Sequence, residues 1–284
     1  LEAMARYAPK ALIGLQELAQ TGHVEFLGET YYHSLAALYS PTEFAAQVEL
    51  HRIAIHHYFG QTPRVFRNTE LILDNQIARL VAELGFEAIL GEGWPNVLPG
   101  KGKKSGTNSG PLAGSIAPAS GLYRSAAAPI KLLLRNFTLS DDIAFRFNRQ
   151  DWAEWPLTAP KFAQRISQLQ EGPLCNLFMD YETFGEHQPA DKGIMDFLAD
   201  LPNAILASGQ TFVTPTEAIS PQVAAVPPEA LDIPRAISWA DEARDLSAWL
   251  GNAMQTHTAQ ELFKLESAIK NRHDPNLLAD WRYL

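Results

Sequence analysis

The sequence predicts an α/β protein built on a parallel sheet, and three observations predict it. Strand-like and helix-like segments alternate along most of the chain. Several strand-like segments are near-continuous apolar runs, the mark of strands covered on both faces. Four of them close on an acid, Glu29, Glu70, Glu92 and Asp180, and parallel α/β folds carry their chemistry at the carboxyl ends of strands. A barrel and an open doubly wound sheet both satisfy the alternation; a ring of converging carboxylates favours the barrel. Acids also gather at helix N-termini, where they meet the dipole, a reading that serves any one of the four but not all together.

The elements follow in order. Residues 1–20 have helical spacing and are closed by Thr21 and Gly22. "VEFLGE" reads as the next strand. "SPTEFAAQVELHRIAIHHYFG" starts on Ser40 as cap with Pro41 in the first turn, and stops at Gly60. "RVFRNTE" is a strand, "NQIARLVAELG" a helix stopped by Gly85, and "FEAILGEG" a strand. "IKLLLRN" and "LCNLFMD" are buried strands, and "TFVTPTEAI" supplies one more strand and a helix start. Residues 99–128 are rich in Gly, Ser, Ala and Pro, too poor in large apolar side chains to build a core, and are expected as a long mobile loop. Residues 220–235 read as a Pro-rich connector. The organisation expected is a catalytic barrel over 1–219 with a loop insertion at 99–128, the connector, and a helical C-terminal part over 236–284.

Composition excludes several function classes. With 284 residues and 46% hydrophobic residues the chain can fill a sizeable core. A formal net charge of -9, with no basic run longer than "KGKK", argues against a nucleic-acid partner. No apolar stretch reaches the roughly 18 residues that a membrane helix needs. Cys175 is the only cysteine, which removes a disulfide framework and a cysteine-rich metal site and favours the cytoplasm.

The chemistry-bearing residues are carboxylates set against apolar runs. An unpaired buried carboxylate costs several kcal/mol, so Glu70 in "RVFRNTELIL" is at a strand end, paired with Arg64 or Arg67, or there for a reaction. Asp180 follows "LFM" with no polar transition, in "LFMDYETFGEHQ". A pair of this kind suits glycoside chemistry, in which one ionised carboxylate attacks an anomeric carbon and a protonated one donates to the leaving oxygen. Tyr31, Tyr32, Asn68, Trp94 and His187 near strand ends are of the types that stack on or hydrogen-bond to sugars. A metal-dependent deacetylase would instead need Asp and His in ligand spacing, which no two adjacent strand ends supply.

"VEFLGETYYHSLAALYS", "PRVFRNTELIL", "GFEAILGEG", "IKLLLRNFTLSDDIAFRF", "LFMDYETFGEHQ" and "ISWADEARDLSAWLGNAMQ" resemble, in order, segments of the α-amylase-type members of glycoside hydrolase family 57. The resemblance implies an incomplete (β/α)7 barrel with a small helical C-terminal part, acting on α-1,4-glucans with retention and without a cofactor or metal. It implies Glu70 as nucleophile and Asp180 as general acid/base, with Glu29, His33, Trp94, Trp239 and Asp241 at the substrate site. The family's first strand carries a His-Gln-Pro motif that does not head this chain, so the N-terminal strand is expected to be missing. A 4-α-glucanotransferase using the same pair and a non-catalytic glucan-binding fragment are the alternatives.

Overall fold

A computed structural model describes residues 1–93, 121–169, 172–223 and 228–284. Its centre is a mixed five-stranded sheet: β1 (Val65–Arg67), β2 (Ala88–Glu92), β3 (Leu122–Ser125), β4 (Lys131–Arg135) and, after the two-residue strands β5 (Phe184–Gly185) and β6 (Gln188–Pro189), β7 (Glu229–Leu231). The order is β1-β2-β4-β3-β7. β1, β2 and β4 run parallel, as the apolar runs predict, with Phe66 opposite Ile89 and Ile89 opposite Leu132. β3 runs antiparallel to β4 and parallel to β7. Among the described residues the sheet ladder has two ends, at β1 and β7.

Side chains alternate across the sheet as the period of a strand requires. Phe66, Ile89, Leu132 and Leu134 enter one core with Phe44 and Val48 of helix Pro41–Phe59 and Ile77 and Val81 of helix Asn75–Glu83. Val65, Ala88, Leu90 and Leu133 face the other way, onto Leu71, Leu174, Ala218 and Ile219. A third cluster joins helices Phe137–Ala144, Ala159–Ser167 and Ile194–Ala207 through Leu139, Phe162 and Phe197. Helix ends follow their caps: Ser40 accepts from Glu43 N, Gly60 ends that helix at φ 67, and Asp74 accepts from Ile77 N. Helices Ala253–Lys264 and Pro275–Tyr283 dock through Phe263, which packs against the first core, and Trp281, whose indole donates to Leu262 O at 2.8 Å. None of the described helices is long and apolar enough to cross a membrane.

Six expectations need correction. The first helix is two, Glu2–Tyr7 and Pro9–Gln20, because the residue before Pro9 is driven out of helical geometry. Residues 24–29 make a single bridge, Gly28 to Phe66, instead of a strand; Gly28 lies so close to Phe86 that a Cβ there would come within 2.4 Å of the ring. Residues 174–180 form no ladder. Their backbone is tied instead to Asn136, Leu134 and Ser140, through Asn136 N to Asn176 O at 2.8 Å, Asn176 Nδ2 to Leu134 O at 3.0 Å and Phe178 N to Ser140 Oγ at 3.2 Å. Residues 211–213 are exposed and form no strand, although helix Pro215–Ala218 starts where expected, capped by Thr214. Of the expected loop over 99–128, residues 99–120 lie outside the described residues. The remainder holds β3, because Leu122 and Tyr123 bury against the sheet. The Pro-rich connector likewise contributes β7.

Candidate active site

Glu70 sits three residues beyond β1, in the short turn Thr69–Leu71, with φ 55 and ψ 27. A side-chain-bearing residue in this left-handed region costs about 1–3 kcal/mol and persists only where its surroundings hold it. Here they do. The Glu70 carbonyl accepts from Ser238 Oγ at 2.9 Å and from Trp239 N at 3.3 Å. Buried Asn68 donates to Ile72 O at 2.9 Å, and Thr69 Oγ1 donates to Ser34 O at 2.9 Å. The turn aims the Glu70 carboxylate away from the strand and towards two donors.

Those donors are His33 and Trp239. Glu70 Oε1 lies 3.0 Å from His33 Nε2, and Glu70 Oε2 accepts from the Trp239 indole at 2.8 Å. The His33 contact, with help from Trp239 and the nearby Arg67 charge, holds the Glu70 carboxyl below the usual carboxylate range. The second His33 nitrogen, Nδ1, contacts Glu29. The Glu29 and Glu70 hydrogen bonds together raise the imidazole to about 9. Arg67 completes the back of the site, 3.6 Å from Glu29 Oε1 and stacked over the Trp239 ring at 4.9 Å. Arg64 is not a partner of Glu70: it forms a two-pronged surface pair with Glu87 at 2.6 and 2.9 Å.

Beneath this layer lies a buried ionic network that sequence reading missed. Glu92, fully buried at the end of β2, accepts from Arg135 at 3.1 Å and Arg244 at 2.8 Å. The same two guanidiniums reach Asp141 at 2.5 and 3.3 Å. Arg135 also donates to Phe178 O at 2.8 Å, and Arg244 to Trp239 O at 2.6 Å. The network therefore fixes the backbone on both sides of the cleft, next to Asp180 and at Trp239. Its signal was present in "KLLLRN", where Arg135 closes an apolar run just as the strand-end acids do.

One cleft of about 200 Å³ gathers Glu70, Asp180, His187, Trp239, Asp241 and Arg244 among its lining residues. Asp180 is exposed at its rim, just before the short turn Tyr181–Thr183, and His187 lies in the loop between β5 and β6. Glu29 and His33 stand outside that cleft, bordering a neighbouring cavity of about 700 Å³ with Tyr31 and Tyr32. Trp94 lies outside the described residues. Among the described residues, no group of His, Cys, Asp and Glu is arranged to hold a metal ion. The cleft can thus offer one carboxylate pinned by two donors, one carboxylate open to solvent, and an indole edge between them and the guanidiniums.

The chain matches the profile described as "Glycosyl hydrolase family 57" over residues 1–234. It is 39% identical over 256 residues to a protein of Methanocaldococcus jannaschii named "Putative alpha-amylase", a match that covers 90% of this chain and 51% of the relative. The chain spans about half the length of that curated relative. Among solved structures it is similar to a family 57 branching enzyme from Thermococcus kodakaraensis, with a TM-score of 0.64 and 14% identity over 93% of this chain and 58% of the other. It is similar also to a 4-alpha-glucanotransferase from Thermococcus litoralis, with a TM-score of 0.61 and 16% identity over 94% of this chain and 37% of the other. At such identities the likeness is one of fold.

Proposed function

This chain belongs to glycosyl hydrolase family 57, and from that premise we propose that it carries the catalytic pair of a retaining glycoside hydrolase of the α-amylase type, acting on α-1,4-glucans. Glu70 is the nucleophile and Asp180 the general acid/base. The observation that supports this most directly is that Glu70 and Asp180 line the same cleft in opposite states of engagement. Glu70 is held by two donors that favour its ionised form, as attack on an anomeric carbon requires. Asp180 stands exposed at the rim, where it can exchange protons with leaving group and water. Asp241, in the lining of the same cleft, offers a carboxylate for sugar hydroxyls. With acceptor glucan in place of water the same pair performs transfer.

Incubation with maltoheptaose tests the proposal. Turnover should vanish in Glu70→Gln and fall steeply in Asp180→Asn, because Gln cannot form the glycosyl ester and Asn cannot move the proton. Products longer than the substrate would mark transfer, and shorter ones alone hydrolysis. A Glu70→Gln chain that still cleaves near the unsubstituted rate would sink the assignment.

A further inference from the structure

His33 presents both ring nitrogens to carboxylates, Nδ1 to Glu29 and Nε2 to Glu70. An ionised carboxylate only accepts, so the ring satisfies two of them at once only when both nitrogens carry hydrogen. Two negative charges face the ring, and the Arg67 guanidinium stands behind Glu29, 3.6 Å from its Oε1. The ring is also held by its backbone. His33 has φ 53, its N–H donates to Thr30 O at 3.1 Å, and Thr30 Oγ1 is 3.0 Å from Thr69 Oγ1, next to Glu70. Two turns 37 residues apart are thereby locked with the imidazole between their carboxylates.

With both nitrogens engaged, the ring has neither a hydrogen nor a lone pair left for a sugar hydroxyl. We infer that His33 is a positioning residue and not a substrate contact: an imidazolium that fixes the Glu70 carboxylate for attack and stabilises it again when it departs. The inference rests on the reading of Glu70 as nucleophile. In the first half-reaction a Glu70 lone pair forms a bond to the anomeric carbon while the glycosidic C–O bond breaks. That bond's electron pair goes to the leaving oxygen, which takes the Asp180 proton. In the second, water bonds to the same carbon and yields a proton to Asp180, and the ester C–O pair returns to Glu70. The imidazolium proton never leaves the ring. Its N–H opposes the charge that Glu70 loses and regains, and Glu29 keeps the ring cationic while Glu70 is an ester.

Two measurements test this on the whole chain. In the first, nitrogen-15 NMR of labelled histidines is followed with pH, His33 being the resonance missing from His33→Gln. Both ring nitrogens should report the charged form at about pH 8, above the ordinary histidine range. Glu29→Gln should turn the ring to a neutral tautomer at that pH. A neutral ring at about pH 8 in the unsubstituted chain overturns the inference. In the second, maltoheptaose kinetics of His33→Gln should show kcat lower by roughly 10- to 100-fold, the worth of one hydrogen bond to a charged group, with KM little changed. A raised KM at unchanged kcat would make His33 a substrate contact and overturn the inference. Glu70→Gln run alongside separates the failures. If it turns over, the nucleophile reading falls and takes the inference with it. If it is dead while His33→Gln keeps full kcat, only the inference falls.

Discussion

The indole of Trp239 and the carboxylate of Glu70, 169 residues apart, are joined by a 2.8 Å hydrogen bond from Nε1 to Oε2, and the Trp239 amide donates to the Glu70 carbonyl as well. The segment that follows the connector thus grips the strained turn by both side chain and backbone.

Trp239→Phe separates these two grips, since it keeps a ring and the backbone amide but removes the indole donor. Turnover of maltoheptaose should fall roughly tenfold or more, the value of one hydrogen bond to a charged group. The melting temperature should move little. Parallel kinetics and thermal melts check it, and an unchanged kcat would show that the indole does not matter to Glu70.

Glu70→Gln carries a stability prediction distinct from its effect on turnover. Were Glu70 the chief partner of a buried arginine, the change would cost about 3–5 kcal/mol. Arg64 pairs with Glu87 and Arg67 with Glu29, so no guanidinium loses its main partner. The melting temperature is expected to stay near that of the unsubstituted chain.

The folded protein should lose stability on the alkaline side through His33. Its pKa is raised from the ordinary 6.5 to about 9. The folded state therefore binds this proton more tightly than the unfolded chain. The stabilisation is complete below pH 6.5 and disappears as pH rises through about 9. Thermal melts across that window should decline in the unsubstituted chain and decline less in His33→Gln. Equal declines would remove His33 as the source.

The buried network is the most sensitive point of the fold. Replacing Glu92 by Gln removes one of the two carboxylates that Arg135 and Arg244 share, and breaking a buried pair from one side costs about 3–5 kcal/mol. A chemical denaturation midpoint well below that of the unsubstituted chain is expected. A change within error would mean the guanidiniums find water.

The parallel core of this fold was legible because its signal is local. β1, β2 and β4 are apolar runs buried on both faces, and Ser40, Gly60 and Asp74 end their helices by their own chemistry. What escaped depended on distant partners. β7 pairs only because Tyr123–Ser125 offers an edge, and nothing within residues 220–235 announces that edge. Residues 174–180 have the apolar run of a strand, yet Asn136 and Ser140 claim their backbone groups. At the site, the acids stood out as charges closing apolar runs. Arg135 and Arg244 were passed over because their roles lie in pairing, which a single position does not display, and Arg67, weighed as a partner of Glu70, stands against Glu29 instead.

β7 also changes what residues 220–235 are mechanically. Through the pairing of β7 with β3 the connector is stitched to the sheet in its second half, and the bridge of Ile237 to Leu73 and the grip of Trp239 on Glu70 continue the attachment just beyond it. A nick before residue 228 would leave every one of those stitches in place. The site behaves in this respect as a two-piece assembly: residues up to 219 bring both carboxylates, and residues from 228 onward bring the indole and the guanidinium of Arg244. Separately produced pieces should reassociate, with the C-terminal piece restoring what the larger one lacks.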